Sequence, residues 1–267
     1  HSVVPLAGRK HVVIRFEQGA YNPLFRMKTL VAHYDRAEGT PGANDNSAAC
    51  FQLMLLAQRL ARGEGLSAHG GTHNVRIIFT DGEEAAGTKG VAGQGAYALG
   101  SGFRKLKMTD DDVYVLDATG RGDVLVLSTA CVSKKKPGVL DARLAALHES
   151  AAKVAQAVSA SSWMTLHTPY SDDAGFLAAG IAAQVVTVLP RVEAETLARA
   201  LADAKPAGEI EKLISLNRRI PAGSLLERVI PETWRLMHTE SDNAPTLTSD
   251  AFVLMARFLD ALASSLS

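Results

Sequence analysis

Six short apolar runs, residues 12–16, 30–32, 75–80, 113–116, 124–127 and 184–189, are rich in β-branched side chains and bounded by polar or glycine-bearing stretches. Runs of this length and composition read as strands. Longer segments with helical spacing stand among them. Residues 46–62 form one, and residues 141–158 place Leu144, Leu147, Ala151, Val154 and Val158 on one face. Residues 250–262 turn Phe252, Met255, Leu259 and Leu262 inward, with Ser249 as the expected N-cap. Alternating strands and helices predict an α/β fold, a mostly parallel mixed sheet with helices on both faces. Ligands bind such sheets at the carboxyl ends of the strands, so functional residues are expected just after the apolar runs.

Residues able to bind metal or move protons stand at just those places. The run ending at Ala32 is succeeded by His33-Tyr34-Asp35, where a carboxylate two residues on can accept the second ring N–H of the histidine. A turn-rich loop, Pro41-Gly42-Ala43-Asn44-Asp45-Asn46-Ser47, delivers Asp45 to the start of a helical segment; capping that helix is the alternative role for Asp45 or Asn46. After residues 75–80 stands Asp81-Gly82-Glu83-Glu84. Adjacent acids repel unless a cation or solvent separates their roles. In a metal site one can bind the ion while the other takes a proton from water. Asp117 comes directly after residues 113–116, and His238 lies in the loop before the last helix. A single such residue is usually a solvated turn or a structural histidine. Three strand ends carrying His, Glu-Glu and Asp in turn point to one shared site.

Taken in order, His33-Tyr34-Asp35, Gly42-Ala43-Asn44-Asp45, Glu83-Glu84, Asp117 with Gly120-Arg121-Gly122-Asp123, and His238-Thr239 resemble the M28-type zinc aminopeptidases, whose relatives include the glutaminyl cyclases. The resemblance runs from Leu30 through the last helix. It implies a zinc aminopeptidase-like, phosphorylase/hydrolase-like fold that removes N-terminal residues from peptides. It further implies two Zn²⁺ ions, with a single ion as the alternative. Asp45 would bridge them, Glu84 would stand beside one and Asp117 beside the other, and His33 and His238 would be divided between the two. Glu83 would be the general base and Asp35 the partner of His33.

Ser171-Asp172-Asp173 is similar to the family's late Ser-Asp-His segment, with Asp173 where the histidine stands. Glutaminyl cyclases carry a comparable acidic pair and a tryptophan shortly before the metal histidine, echoed here by Asp172-Asp173 and Trp234. Glutaminyl-peptide cyclotransferase is therefore the second reading, with Asp172 and Asp173 as candidate substrate-binding groups. A scaffold that has lost its metals is a third, but every ligand position is filled.

Lys plus Arg and Asp plus Glu number 28 each, so no bulk charge favours nucleic acid, and the expected partner is a peptide or small amide. The sequence contains no apolar run of the roughly 20 residues that span a bilayer. It opens on His1, which leaves N-terminal processing or truncation open and is compatible with periplasmic, secreted and cytoplasmic settings. Cys50 and Cys131 form no CxxC motif, though one disulfide between them is conceivable. No Gly-x-Ser-x-Gly elbow supports a serine hydrolase. Gly93-Gln94-Gly95 stands after no strand and lacks the third glycine of a dinucleotide loop. The 267 residues suit a single catalytic domain, residues 1–267, in which residues 191–231 break the strand-helix rhythm and read as a helical surface excursion.

Overall fold

The computed structural model describes residues 1–17, 20–64, 72–84, 87–130, 138–203, 207–215 and 225–265. Among these, eight strands form one sheet: β1 Ser2–Leu6, β2 Arg9–Ile14, β3 Lys28–His33, β4 Val75–Thr80, β5 Asp112–Leu116, β6 Val124–Ser128, β7 Trp163–Leu166 and β8 Ala183–Leu189. Their spatial order is β1-β2-β4-β3-β5-β8-β6-β7. β4, β3, β5 and β8 run parallel to one another; β2 pairs antiparallel with both β4 and β1, and β6 pairs antiparallel with β8 and parallel with β7. The helices are α1 Ala48–Ala61, α2 Gly95–Lys105, α3 Val139–Val158, α4 Asp172–Ala178, α5 Arg191–Ala202, α6 Ala207–Ser215, α7 Glu232–Leu236 and α8 Ser249–Ser264.

The central strands are buried along their whole length because helices cover both faces, which is why they read as continuous apolar runs. Side chains alternate between two cores. Leu30, Ala32, Ile77 and Leu116 pack with Leu53, Leu147 and Phe258 of α1, α3 and α8. Val31, Ile78 and Val115 pack with Leu99, Phe103 and Phe176 of α2 and α4.

The expected architecture holds, with local differences. β1 is largely exposed and β7 only half-buried, so they lack the apolar continuity that marks the inner strands. β2 begins at Arg9 and ends at Ile14, earlier than the apolar run 12–16 suggests. The glycine-interrupted α2 and the short α4 carry no long helical periodicity in sequence. On α8 the N-cap position belongs to Thr248 and Ser249 is already helical. Its inward stripe adds Leu254 and Phe258, leaving Phe252 only half-buried.

The segment expected as a surface excursion is also an apolar layer. Ala194, Leu197, Ile210 and Ile214 bury against Val124, Val126, Leu189 and Trp234, forming a third cluster over the β6–β8 end of the sheet. Their spacing on α5 and α6 supplies one apolar face per helix, and the sheet has an uncovered face there to receive it. Residues 204–206 and 216–224, including Pro206 and Pro221, lie outside the described residues, as does Cys131. Cys50 is a free thiol that donates to the main-chain oxygen of His33 over 3.1 Å. No described helix is long and apolar enough to cross a membrane.

Candidate metal centre

The parallel strands end on one edge of the sheet, and the chemistry collects there. His33 is the last residue of β3, Glu83 and Glu84 come after β4, and Asp117 after β5. Asp45 comes from the irregular turn Ala43–Ser47 ahead of α1, and His238 from the turn after α7. Gly42 opens the Asp45 turn at φ +62, and a Cβ there would lie 2.8 Å from the Asp45 oxygen, so the turn requires glycine. The Asp45–Asn46 peptide is cis. Neither residue caps α1: Asn46 instead donates its side-chain amide to Leu116 O at 2.8 Å, tying the turn to the end of β5.

Asp45 stands between two groups of ligands. Its Oδ1 lies 3.2 Å from His33 Nε2, which is 3.8 Å from Asp117 Oδ2. Its Oδ2 lies 3.2 Å from His238 Nε2, which is 3.1 Å from Glu84 Oε2. Two metal-sized groups thus share one carboxylate, His33-Asp45-Asp117 and Asp45-Glu84-His238. Glu83 approaches His33 and Glu84 in a third such group.

His33 Nδ1 is 3.1 Å from the main-chain carbonyl of Asp35. A carbonyl only accepts, so the proton of the neutral ring sits on Nδ1 and Nε2 offers its lone pair to the site. The sequence alone pointed to the Asp35 carboxylate for this partner role; here the main-chain carbonyl of the same residue is the nearer acceptor. That carboxylate lies 3.7 Å from Nδ1 and spends its two oxygens on the main-chain N–H groups of Glu83, at 3.2 Å, and Glu84, at 3.1 Å. Two charge-assisted bonds to consecutive amides orient the Glu-Glu turn, so Asp35 shapes the acidic pair more than the histidine.

Asp172 and Asp173, expected to meet substrate, are both buried. Asp172 accepts from Thr80 Oγ1 at the end of β4, and Asp173 accepts the main-chain N–H of Ser171 at 2.8 Å. Neither offers an exposed carboxylate, because α4 packs their turn against the sheet. Asp173 therefore serves the α4 turn, and His238 is the second histidine facing Asp45.

Three further residues were not singled out from the sequence. Asp242 accepts the main-chain N–H groups of Asn44 and Asp45. Asn44 Oδ1 accepts the N–H of Gly120 at 2.7 Å. Gln94 donates its side-chain amide to Glu83 Oε1 at 3.0 Å. Asp242 has the plainest signal, an acid four residues after a candidate ligand; Gln94 sits in the Gly-Gln-Gly stretch that makes a poor dinucleotide motif.

Without a cation these groups can balance charge only with protons. Burial opposes protonation of His33, but the carboxylates of Asp117 and Asp45 hold its pKa well above the ordinary value. Asp45 and Glu84 raise that of His238 to about 10. Burial pushes Glu83 well above the usual carboxylate range against the attraction of His33, and pushes Asp172 up to about 7. Burial opposes the charged form of Asp45, yet His238 and His33 hold its pKa down. Apart from the ion-pair approaches within the cluster itself, His33 Nε2, Asp45 Oδ2, Glu84 Oε1 and Asp117 Oδ1 are buried with no hydrogen-bond partner among the described residues. Buried polar atoms normally find partners. Converging lone pairs of imidazole and carboxylate that lack them fit divalent cations, which these residues can hold.

The model of peptidase family M28 matches residues 12–263. The chain belongs to peptidase family M28. Solved structures share the fold of this M28 chain at low identity. A zinc aminopeptidase from Bacillus subtilis superposes with a TM-score of 0.57 at 16% identity, covering 95% of this chain and 48% of that one. A leucine aminopeptidase precursor from Bacteroides thetaiotaomicron gives 0.58 at 14%, covering 97% and 77%. A glutaminyl cyclase from Porphyromonas gingivalis gives 0.57 at 15%, covering 97% and 80%. The M28 chain thus spans about half the length of the Bacillus enzyme. Among curated proteins none matches it by sequence.

Proposed function

We propose that residues 1–267 form a catalytic unit that removes N-terminal residues from peptides with two zinc ions. The observation that carries this reading is the position of Asp45, whose two oxygens face two separate histidine-carboxylate pairs. His33 and Asp117 would hold one ion, His238 and Glu84 the other, and Asp45 both. When bound, such ions supply Lewis acidity toward a carbonyl and lower the pKa of a nucleophilic water.

Glu83 is the carboxylate left over from this assignment. Its Oε1 is held by Gln94, which leaves Oε2 to accept the proton of the attacking water and return it to the departing amine. Burial raises its proton affinity, which suits a group that must take up a proton and release it within one turnover. Asp117 also borders a narrow recess of about 10 Å³, walled by Ala118, Thr168, Pro169, Trp234 and Met237, with room for no more than a water-sized group.

A second reading is cyclisation of N-terminal glutamine, in which the substrate's own amine attacks and ammonia leaves. The buried Asp172, which acts electrostatically on Glu83, favours it as a member of a proton relay. To separate the two, Leu-, Ala- and Gln-initiated peptides are offered to zinc-loaded protein and the products are weighed. Release of free N-terminal residues is the expected outcome. Loss of ammonia from Gln peptides without cleavage would replace this reading with the cyclase.

A further inference from the structure

One side chain ties the turn carrying His238 to the loop carrying Asp45. Asp242 is buried, at 1% exposure. Its Oδ1 accepts the N–H of Asn44 at 2.8 Å, its Oδ2 accepts that of Asp45 at 3.0 Å, and its main-chain oxygen accepts that of Ala43 at 3.1 Å. Three consecutive amides therefore end on one residue. They need it: Asp45 and Asn46 have non-helical dihedrals inside their turn, so regular helical bonding does not fix the loop.

The same residue closes the turn behind His238. The N–H of Asp242 donates to Thr239 O and that of Thr239 to Leu236 O, each over 3.2 Å. Thr239 Oγ1 also donates to Leu236 O, at 2.6 Å. This short circuit holds His238 at φ +58, a left-handed conformation that a non-glycine residue keeps only where its surroundings impose it. Placing a carboxylate here is costly, since burial and the charges of Asp45 and Asp117 oppose its ionisation. Both of its carboxylate oxygens are taken up by main-chain donors.

We infer that Asp242 is a positioning residue that sets the ligand shared by both metal subsites, Asp45, and a ligand of only one, His238, in a single frame. This rests on the two-ion reading of the site. The consequence is specific. Removing His238 should weaken one zinc subsite and leave the other, whereas removing the Asp242 carboxylate should weaken both, because both depend on Asp45.

The test is a zinc titration of the wild-type chain, Asp242→Ala, Asp242→Asn and His238→Ala against a competing chromophoric chelator. Thermal unfolding of each metal-free form is measured alongside. In Asp242→Ala both affinities are expected to fall by about 10- to 100-fold, the usual cost of losing an outer partner of a metal ligand. Asp242→Asn, the same size and retaining one acceptor oxygen, should fall between wild type and Ala, and carries the test if the alanine variant does not fold. His238→Ala should lose one affinity only. A lower melting temperature with both zinc affinities unchanged would mean that Asp242 is merely structural and would overturn the inference. So would a loss confined to the subsite that His238→Ala loses. Wild type that binds no zinc would instead remove the two-ion reading itself, and the inference with it.

Discussion

The side-chain amide of Gln94 donates to Glu83 Oε1 over 3.0 Å, so one oxygen of the proposed base is held by the residue that precedes α2. The approach is close. A Cβ on Gly95 would come within 1.9 Å of the Asp81 main-chain oxygen, so glycine alone lets the start of α2 lie against the loop 81–84. The first test of this contact is Gln94→Leu. Losing one charge-assisted bond of about 1.5 kcal/mol should lower kcat about tenfold. Zinc content, read by elemental analysis, should not change, since Gln94 belongs to neither ligand group.

The two adjacent glutamates should separate by role. Glu83→Gln is expected to keep zinc while losing about 10²- to 10⁴-fold in kcat, the usual worth of a general base. Glu84→Gln is expected to lose metal affinity as well, because Glu84 Oε2 faces His238 and its Oε1 has no other partner among the described residues. Equal zinc loss in both variants would reject this division.

Asp35→Ala removes the acceptor of two main-chain N–H groups at the Glu-Glu turn. Zinc affinity should fall by about 10- to 100-fold as Glu84 loses its orientation. Asp35→Asn, which keeps one acceptor oxygen, should recover part of it. Competition titration with a chelator measures both.

Stability should depend on pH in opposite ways with and without metal. In the metal-free chain His238 has its pKa raised from 6.5 to about 10 by Asp45 and Glu84, and Asp172 from 3.8 to about 7 by burial. A raised native pKa means that the folded state binds more protons than the unfolded one. The associated stability is therefore full below the unfolded value and is lost as pH rises through the folded one. The melting temperature of chelator-treated protein should fall from about pH 4 toward pH 10, first with Asp172 and then with His238. At saturating zinc it should rise between about pH 5 and pH 7.5, because protons compete with the ions for the same histidines.

Leu53→Ala should destabilise the fold by about 2–5 kcal/mol in chemical denaturation, because Leu53 is fully buried where α1 packs on the sheet. Activity per folded molecule should survive, as Leu53 belongs to the core and to none of the candidate ligand groups.

The inner strands were legible from sequence because burial on both faces demands unbroken apolar runs. β3, β4, β5 and β8 all coincide with such runs, and the candidate ligands His33, Glu84 and Asp117 could be named because each stands at or just beyond the end of one. β1 and β7, half-exposed at the sheet edges, had no such requirement and left no comparable trace. α5 and α6 read as a surface excursion because their apolar faces show periodicity but not what they meet; Val126 and Trp234 come from distant parts of the chain.

Local order along the chain placed the candidate residues at the strand ends, because a strand end and its successor keep their relation in any fold of this class, while the roles proposed for Glu83 and Glu84 came from the family resemblance. Which histidine joins which carboxylate was not legible. That pairing comes from the two sides of the Asp45 carboxylate, which only the folded turn between Gly42 and α1 orients. The same holds for Asp35, Gln94 and Asp242, whose partners are main-chain amides or side chains that tertiary packing brings within reach. A hydrogen bond needs geometry of a few tenths of an ångström, and sequence spacing cannot carry that between segments joined by long connections.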